Sequence, residues 1–205
     1  MTFRKRFLSA VLCLCLLYTV VPPVLLEAAS DDGSQANETI SGTSITAQKT
    51  GDTSFNIHGK NKAEEYQTTY RDVGYQTIAS VDGGIKQKNP SNLLAAGLRL
   101  DVDLKIENDN YIKVLYTLTN SGAKSHTVKV GSQADVMIDN NDKAPIWAET
   151  DGGNTLIMSG SPKNNYAFKL VATTCDTLWY GSFHKRYENC FTDMADRGPD
   201  NIYRE

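Results

Sequence analysis

The sequence predicts an all-β protein, an antiparallel β-sandwich of Ig-like or larger size, and three observations carry that prediction. First, apolar and charged residues alternate strictly in Leu100-Asp101-Val102-Asp103-Leu104-Lys105-Ile106, the pattern of a strand with one buried and one wet face. Second, turn residues punctuate the chain between such runs, at Asp82-Gly83-Gly84, Asn108-Asp109-Asn110, Asn120-Ser121-Gly122 and Asp151-Gly152-Gly153-Asn154. Third, no segment has the length and 3.6-residue period of an amphipathic helix, and no internal repeat is present. Two antiparallel sheets that bury their alternating faces against each other are the economical solution.

Residues 1–30 have the three parts of a secretory signal peptide. Basic Arg4-Lys5-Arg6 precedes an apolar run from Phe7 to Val21, and small Ala28-Ala29-Ser30 precede the polar switch at Asp31. Pro22-Pro23 interrupts the run before it reaches the length of a membrane anchor. Neither Cys13 nor Cys15 follows the small residue that lipidation requires, so the reading is a chain secreted or held at the cell surface, touching the membrane only through this leader before cleavage. The whole chain has a formal charge of −3, and loss of the leader removes three basic residues and only one acid, Glu27. A mildly acidic surface lacks the clustered Lys and Arg that reward nucleic acid or anionic lipid, and both partners are set aside.

From residue 31 to 51 the chain is Ser, Thr, Gly, Asn, Asp and Gln with only Ile40 and Ile45 as larger apolar residues, which reads as a disordered tether. Asn37-Glu38-Thr39 within it matches an N-glycosylation acceptor. Residues 52–205 form the sandwich domain.

Phe55-Asn56-Ile57-His58 is its first strand. Tyr66 to Tyr70 favours extended chain, and Tyr75 to Val81 with Ile85 to Gln87 makes a hairpin about Asp82-Gly83-Gly84. Asn89-Pro90-Ser91-Asn92 breaks the sheet and caps one helical turn through Leu93 to Ala96. Beyond the 100–106 strand, Ile112, Val114, Tyr116 and Leu118 share one face of the next, against Lys113, Thr117 and Thr119 on the other. Ile146-Trp147-Ala148 and Thr155 to Met158 form a further hairpin, and Tyr166 to Leu170 and Thr177 to Phe183 supply later strands. The polar end, with Asn201-Ile202-Tyr203 entering what reads as another strand, predicts a sandwich truncated at Glu205.

Residues able to carry chemistry are few. Asp135 to Asp142 holds an Asp- and Asn-rich loop in which Asp139, Asn141 and Asp142 are the oxygen ligands a calcium ion would take, although the spacing is not that of an EF-hand. The competing reading is a β-turn between Ile138 and Ala144. Asp135 interrupts an apolar strand and faces away from Val136 and Ile138, as a surface or structural carboxylate or as an acid. Trp147, Trp179 and Tyr180 are candidate stacking platforms for a glycan; their alternative is the core. Cys175 and Cys190, the two cysteines left in an exported chain, are read as a disulfide, which stabilises by about 3 kcal/mol in the chain-entropy account. His58, His126 and His184 stand apart from any nucleophile pattern, and paired carboxylates such as Glu149 with Asp142 are not made visible by spacing alone.

Tyr111 to Asn120, Val130-Gly131-Ser132-Gln133-Ala134-Asp135-Val136-Met137-Ile138 with Asn141-Asp142-Lys143-Ala144-Pro145, and Thr177-Leu178-Trp179-Tyr180-Gly181 resemble the β-sandwich near the N-terminus of large secreted Gram-positive bacterial surface proteins. The resemblance spans 98–191 and implies no catalytic residues. The expected function is a non-catalytic extracellular module with an adhesion, glycan-contacting or spacer role, meeting glycans or a host or cell-wall surface. The alternative is an accessory sandwich of a secreted carbohydrate-active enzyme whose catalytic part lies beyond this chain.

Overall fold

The computed structural model of the chain describes residues 10–14, 19–21, 38–61, 64–138, 141, 144, 146–149, 154–159, 167–172, 178–182 and 191. In chain order the strands are β1 (Ala10–Leu14), β2 (Thr19–Val21), β3 (Thr39–Ser41), β4 (Ile45–Lys49), β5 (Phe55–Asn61), β6 (Glu64–Gln67), β7 (Gln76–Val81) and β8 (Gln87–Lys88). They continue as β9 (Leu93–Ala95), β10 (Leu98–Glu107), β11 (Tyr111–Asn120), β12 (His126–Val136), β13 (Ile146–Glu149), β14 (Asn154–Ser159), β15 (Ala167–Ala172) and β16 (Leu178–Ser182). Every strand pairing among the described residues is antiparallel, and the helical content is one 3-10 turn at Tyr70–Asp72. The fold is all-β and sandwich-like, as the alternation predicts.

The strands make four sheets, in the orders β16-β1-β12-β7-β8 with β2 also on β12, β11-β10-β9, β3-β4-β5-β6 and β13-β14-β15. The β10–β11 hairpin has the register its two patterns require. Leu100 lies opposite Leu118, Val102 opposite Tyr116, Leu104 opposite Val114 and Ile106 opposite Ile112, so one face of the ribbon is continuously apolar. That face closes on the large sheet. Leu94, Leu98 and Leu100 pack with Ala79, Val128 and Val130 in one core cluster. A second cluster gathers Phe55 and Ile57 of β5, Val102, Ala134 and Val136 of β12, and Ile146, Leu156 and Met158 of the last sheet. Even-numbered residues of β12 from Val128 to Val136 therefore line the interior, and the odd-numbered ones lie on the sheet's other face.

Three expectations change. Part of the stretch read as a disordered tether is sheet, because β3 and β4 pair with each other and β4 pairs with β5 from Ile45↔Gly59 to Lys49↔Phe55. Ile40, Ile45 and the buried Ala47 supply apolar contacts that composition alone undercounts. The helical turn at Leu93–Ala96 is instead β9 and the start of a tight reversal: Gly97 takes φ +76° and Leu94 joins the core beside Leu98. The β7–β8 hairpin forms, but its return begins at Gln87 and leaves Ile85 90% exposed. Its turn uses positive φ at Asp82 and Gly83.

β1 and β2 fall within the stretch read as a leader. In the full-length chain β1 lies between β12 and β16, with Cys13 opposite both Gln133 and Trp179. Cleavage after residue 30 would remove both strands from the sheet.

Candidate functional site

Between β6 and β7 the chain makes a tight, strained loop whose anchors can be followed atom by atom. Thr69 pairs across an isolated bridge with Val136, and the Met137 N–H donates to the Thr68 carbonyl at 2.8 Å, which fastens the loop to the end of β12. The Thr68 and Tyr75 hydroxyls are 3.0 Å apart. Burial pushes the Tyr75 phenol above its ordinary range, the Thr68 bond only partly offsetting it. Within the loop Arg71 and Asp72 both adopt left-handed backbone, at φ 52° and 57°, and Gly74 follows at 77°. Two successive non-glycine residues in that region cost roughly 1–2 kcal/mol each.

Side chains of β5 offset that cost. The Asp72 carboxylate accepts from His58 Nε2 at 2.7 Å and from the Asn56 amide, while the Gly74 N–H donates to Thr69 Oγ1 at 2.9 Å. Partial burial alone would raise the Asp72 carboxyl; the bonds to His58 and Asn56 outweigh it and hold the group below the usual carboxylate range. The positive backbone is thus over-determined by contacts, as a strained conformation must be to persist.

This loop forms one wall of a cleft of about 70 Å³ lined by Tyr70, Val73, Gly74, Gln76, Gln133, Ala134 and Asp135. The other wall comes from neighbouring rungs of β7 and β12, where Gln76 lies directly opposite Gln133. Their amides pair, Gln133 Nε2 donating to Gln76 Oε1 at 3.1 Å. Gln133 is 1% exposed, and its Oε1 has no hydrogen-bond partner among the described residues. Asp135 stands two residues along on the same face, half-buried. The Arg71 guanidinium sits 5.1 Å from the centroid of the Tyr70 ring, so positive charge lies beside the aromatic part of the lining.

The described histidines are held by carboxylates. His58 has Asp72 on Nε2 and Glu65 at 3.7 Å from Nδ1. His126 gives Nδ1 to Asp82 at 2.9 Å, and the same carboxylate accepts from the Thr127 N–H at 2.9 Å and from Lys124 at 3.3 Å. Those bonds, the Thr127 amide first and His126 next, lower the Asp82 carboxyl to about 2. They make Asp82 a clamp between the β7 turn and the first residues of β12. A third carboxylate, Asp109, ties the β10–β11 turn to the β3–β4 loop by accepting from the Thr43 hydroxyl and amide.

The residues singled out in the sequence are distributed as follows. Trp147 lies in β13 opposite Ile157, whereas Trp179 and Tyr180 lie in β16 opposite Cys13 and Leu12, in a different sheet. Asn141 exchanges both backbone hydrogen bonds with Ile138, at 2.9 and 3.2 Å. Asp139, Asp142, Cys175, Cys190 and His184 lie outside the described residues. Among the described residues no three His, Cys, Asp or Glu side chains come together as a metal-binding group. Tyr70, Gln76 and Gln133 were not foreseen. The available signal was Gln133-Ala134-Asp135, two polar residues two apart on one face of a mostly apolar strand.

Comparison of the chain with protein-family models, curated proteins and solved structures finds no match.

Proposed function

We propose that this chain is a non-catalytic extracellular module of a bacterial surface protein, with a glycan-contacting or adhesive role. The observation that carries the reading is the composition of the 70–76/133–135 cleft: one aromatic ring, two neutral amides and one carboxylate, with no base–nucleophile pair beside them. Concave sites that hold neutral polar ligands are built this way, from apolar surface and a few convergent hydrogen-bonding groups. The all-β framework, the leader-like N-terminus and the resemblance over 98–191 support the same reading.

A thermal-shift screen of the full-length chain against soluble glycans tests it. A ligand at a hundred times its Kd stabilises the folded state by about 2.7 kcal/mol, enough to move a melting transition by several degrees. A glycan-dependent rise is expected. A melt that no glycan moves would overturn the glycan-contacting role.

A further inference from the structure

We propose that β11 is a dimerisation edge, and that its occupant is β11 of a second copy of this chain, paired antiparallel about a two-fold axis at Leu115. The surface shares no residue with the 70–76/133–135 cleft, so it stands apart from the glycan-contacting reading.

Edge strands of soluble proteins are kept short or charged, because a row of unpaired N–H and C=O groups recruits another strand. Several edges here follow that rule. β3 and β9 have three residues and β8 has two, while β6 carries Glu64 and Glu65. β11 does not follow it. It runs for ten residues, and among the described residues it pairs with β10 alone. β12, at eleven residues, is longer but is covered on both sides, by β7 and by β1 with β2.

Charge is also placed the wrong way round for a solvated edge. The interior strand β10 has Asp101, Asp103, Lys105 and Glu107 on its outer face, whereas the same face of β11 holds Tyr111, Leu115 and two threonines, with Lys113 as its one charge. Tyr111 and Leu115 are exposed there, and Lys113 is already bonded to Glu107 at 2.8 Å. On the other face Ile112, Val114, Tyr116 and Leu118 pack on the core yet are only partly buried.

The occupant follows from the register that such a strand allows. Every second residue of an edge strand turns its N–H and C=O outward, so a partner copy must match odd residues with odd and even with even. A two-fold axis normal to the sheet imposes the same parity, because it keeps both apolar faces on one side. Two centres then use almost the whole strand. Centring on Tyr116 sets Ile112 against Asn120, which is fully buried and bonded to the Lys124 carbonyl and the Gly122 N–H. Centring on Leu115 sets Ile112 against Leu118 and Val114 against Tyr116, so each copy covers the other's half-exposed apolar side chains. On the outer face Tyr111 meets Thr119, Lys113 meets Thr117, and the exposed Leu115 meets its own copy. No like charges oppose each other in this register. β11 is complementary to itself, and the pairing carries the β9-β10-β11 sheet across the axis.

Sedimentation velocity of the full-length chain over a dilution series tests this, with variants whose effects on monomer and dimer have opposite sign. Leu115→Lys faces Asp103 within its own hairpin but places two ammonium groups on the axis. Thr117→Lys faces Asp101 within the hairpin but Lys113 of the second copy. The double variant Lys113→Glu/Thr117→Lys sets opposite charges across the dimer, and its new carboxylate faces Lys105 within the hairpin. Wild type is expected to dimerise with a Kd in the micromolar range, as small interfaces do. Leu115→Lys should weaken the dimer at least about tenfold and Thr117→Lys about fivefold, each change counting twice across the axis, and the double variant should return to within about twofold of wild type. Dilute samples of all three variants should melt within about 2 °C of wild type.

A wild-type chain that stays monomeric up to about 0.5 mM, far above a micromolar Kd, would overturn the dimerisation edge. A dimer that none of the three variants changes would overturn it too, because the copies would then meet through another surface. Loss of the dimer in both single variants without recovery in the double variant would refute the Leu115 register, and the self-complementary edge with it.

Discussion

Replacing Gly74 by Ala, with Gly83→Ala as an internal control, separates two costs that positive-φ glycines usually confound. Both glycines lie in the left-handed region, at φ +77° and +72°. An L side chain there costs roughly 1–2 kcal/mol whatever its surroundings. A Cβ at Gly83 meets nothing within 4 Å, so that variant should show the conformational cost alone. A Cβ at Gly74 would stand 2.7 Å from the Phe55 carbonyl oxygen, a distance that real Cβ atoms do not keep. The obstacle is backbone, and it is engaged: Phe55 O accepts from Tyr75 N at 2.7 Å, half of the reciprocal bridge that joins β5 to the residue before β7. Relief therefore requires the bridge to open, and a buried backbone bond left unmade adds roughly 1–3 kcal/mol. Gly83→Ala should cost about 1.5 kcal/mol and Gly74→Ala about 3.5 kcal/mol. Urea unfolding followed by tryptophan fluorescence reads both, as a shift in midpoint at constant slope. If the two variants agree to within about 0.5 kcal/mol, a difference no larger than ordinary surface scatter, the Phe55–Tyr75 bridge yields freely and the rigid loop wall assigned to the cleft is refuted.

Two further outcomes follow from the packing and the charges. Leu100 is fully buried between the sheets, so Leu100→Ala should lose roughly 3–5 kcal/mol in the same urea assay, while Leu115→Ala, 42% exposed on the opposite strand, should stay within about 0.5 kcal/mol of wild type. Asp82 has a folded pKa of about 2 against an ordinary 3.8, so its contribution is fully present above pH 3.8 and disappears as pH falls through 2. The stability difference between wild type and Asp82→Asn, measured by denaturant unfolding at successive pH values, should thus be largest above pH 4 and shrink towards pH 2, as the bonds to Thr127, His126 and Lys124 lose their charged acceptor; a constant difference would deny Asp82 its role as a clamp.

How much of this was legible follows from what a one-dimensional pattern can hold. The β10–β11 ribbon was readable in full because each strand's alternation is local, and opposite faces are distinguished by charge. The turn at 82–84 was readable because Gly accepts positive φ. β4 was missed for the opposite reason: Thr46 and Lys49 are buried although polar, and their burial depends on the neighbouring strands. The apolar run from Phe7 to Val21 illustrates a further limit, since continuous hydrophobicity fits a leader and a buried strand equally well and carries no period to separate them.

The cleft was less legible still. Asp135 attracted attention as a carboxylate in an apolar strand, yet its meaning depends on Gln76, which the β7–β12 register brings opposite Gln133 across more than fifty intervening residues. Tyr70 enters the same wall only because Arg71 and Asp72 accept a backbone conformation that their residue types disfavour. No propensity scale marks that departure. It is maintained by His58 and Asn56, whose hydrogen bonds to Asp72 are tertiary. Aromatic residues drew the sequence reading towards Trp147, Trp179 and Tyr180, because large rings are conspicuous in a list of letters. The groups that converge here are two ordinary glutamines, and what distinguishes them is an oxygen with its donor missing, a property that exists only once the sheet has formed.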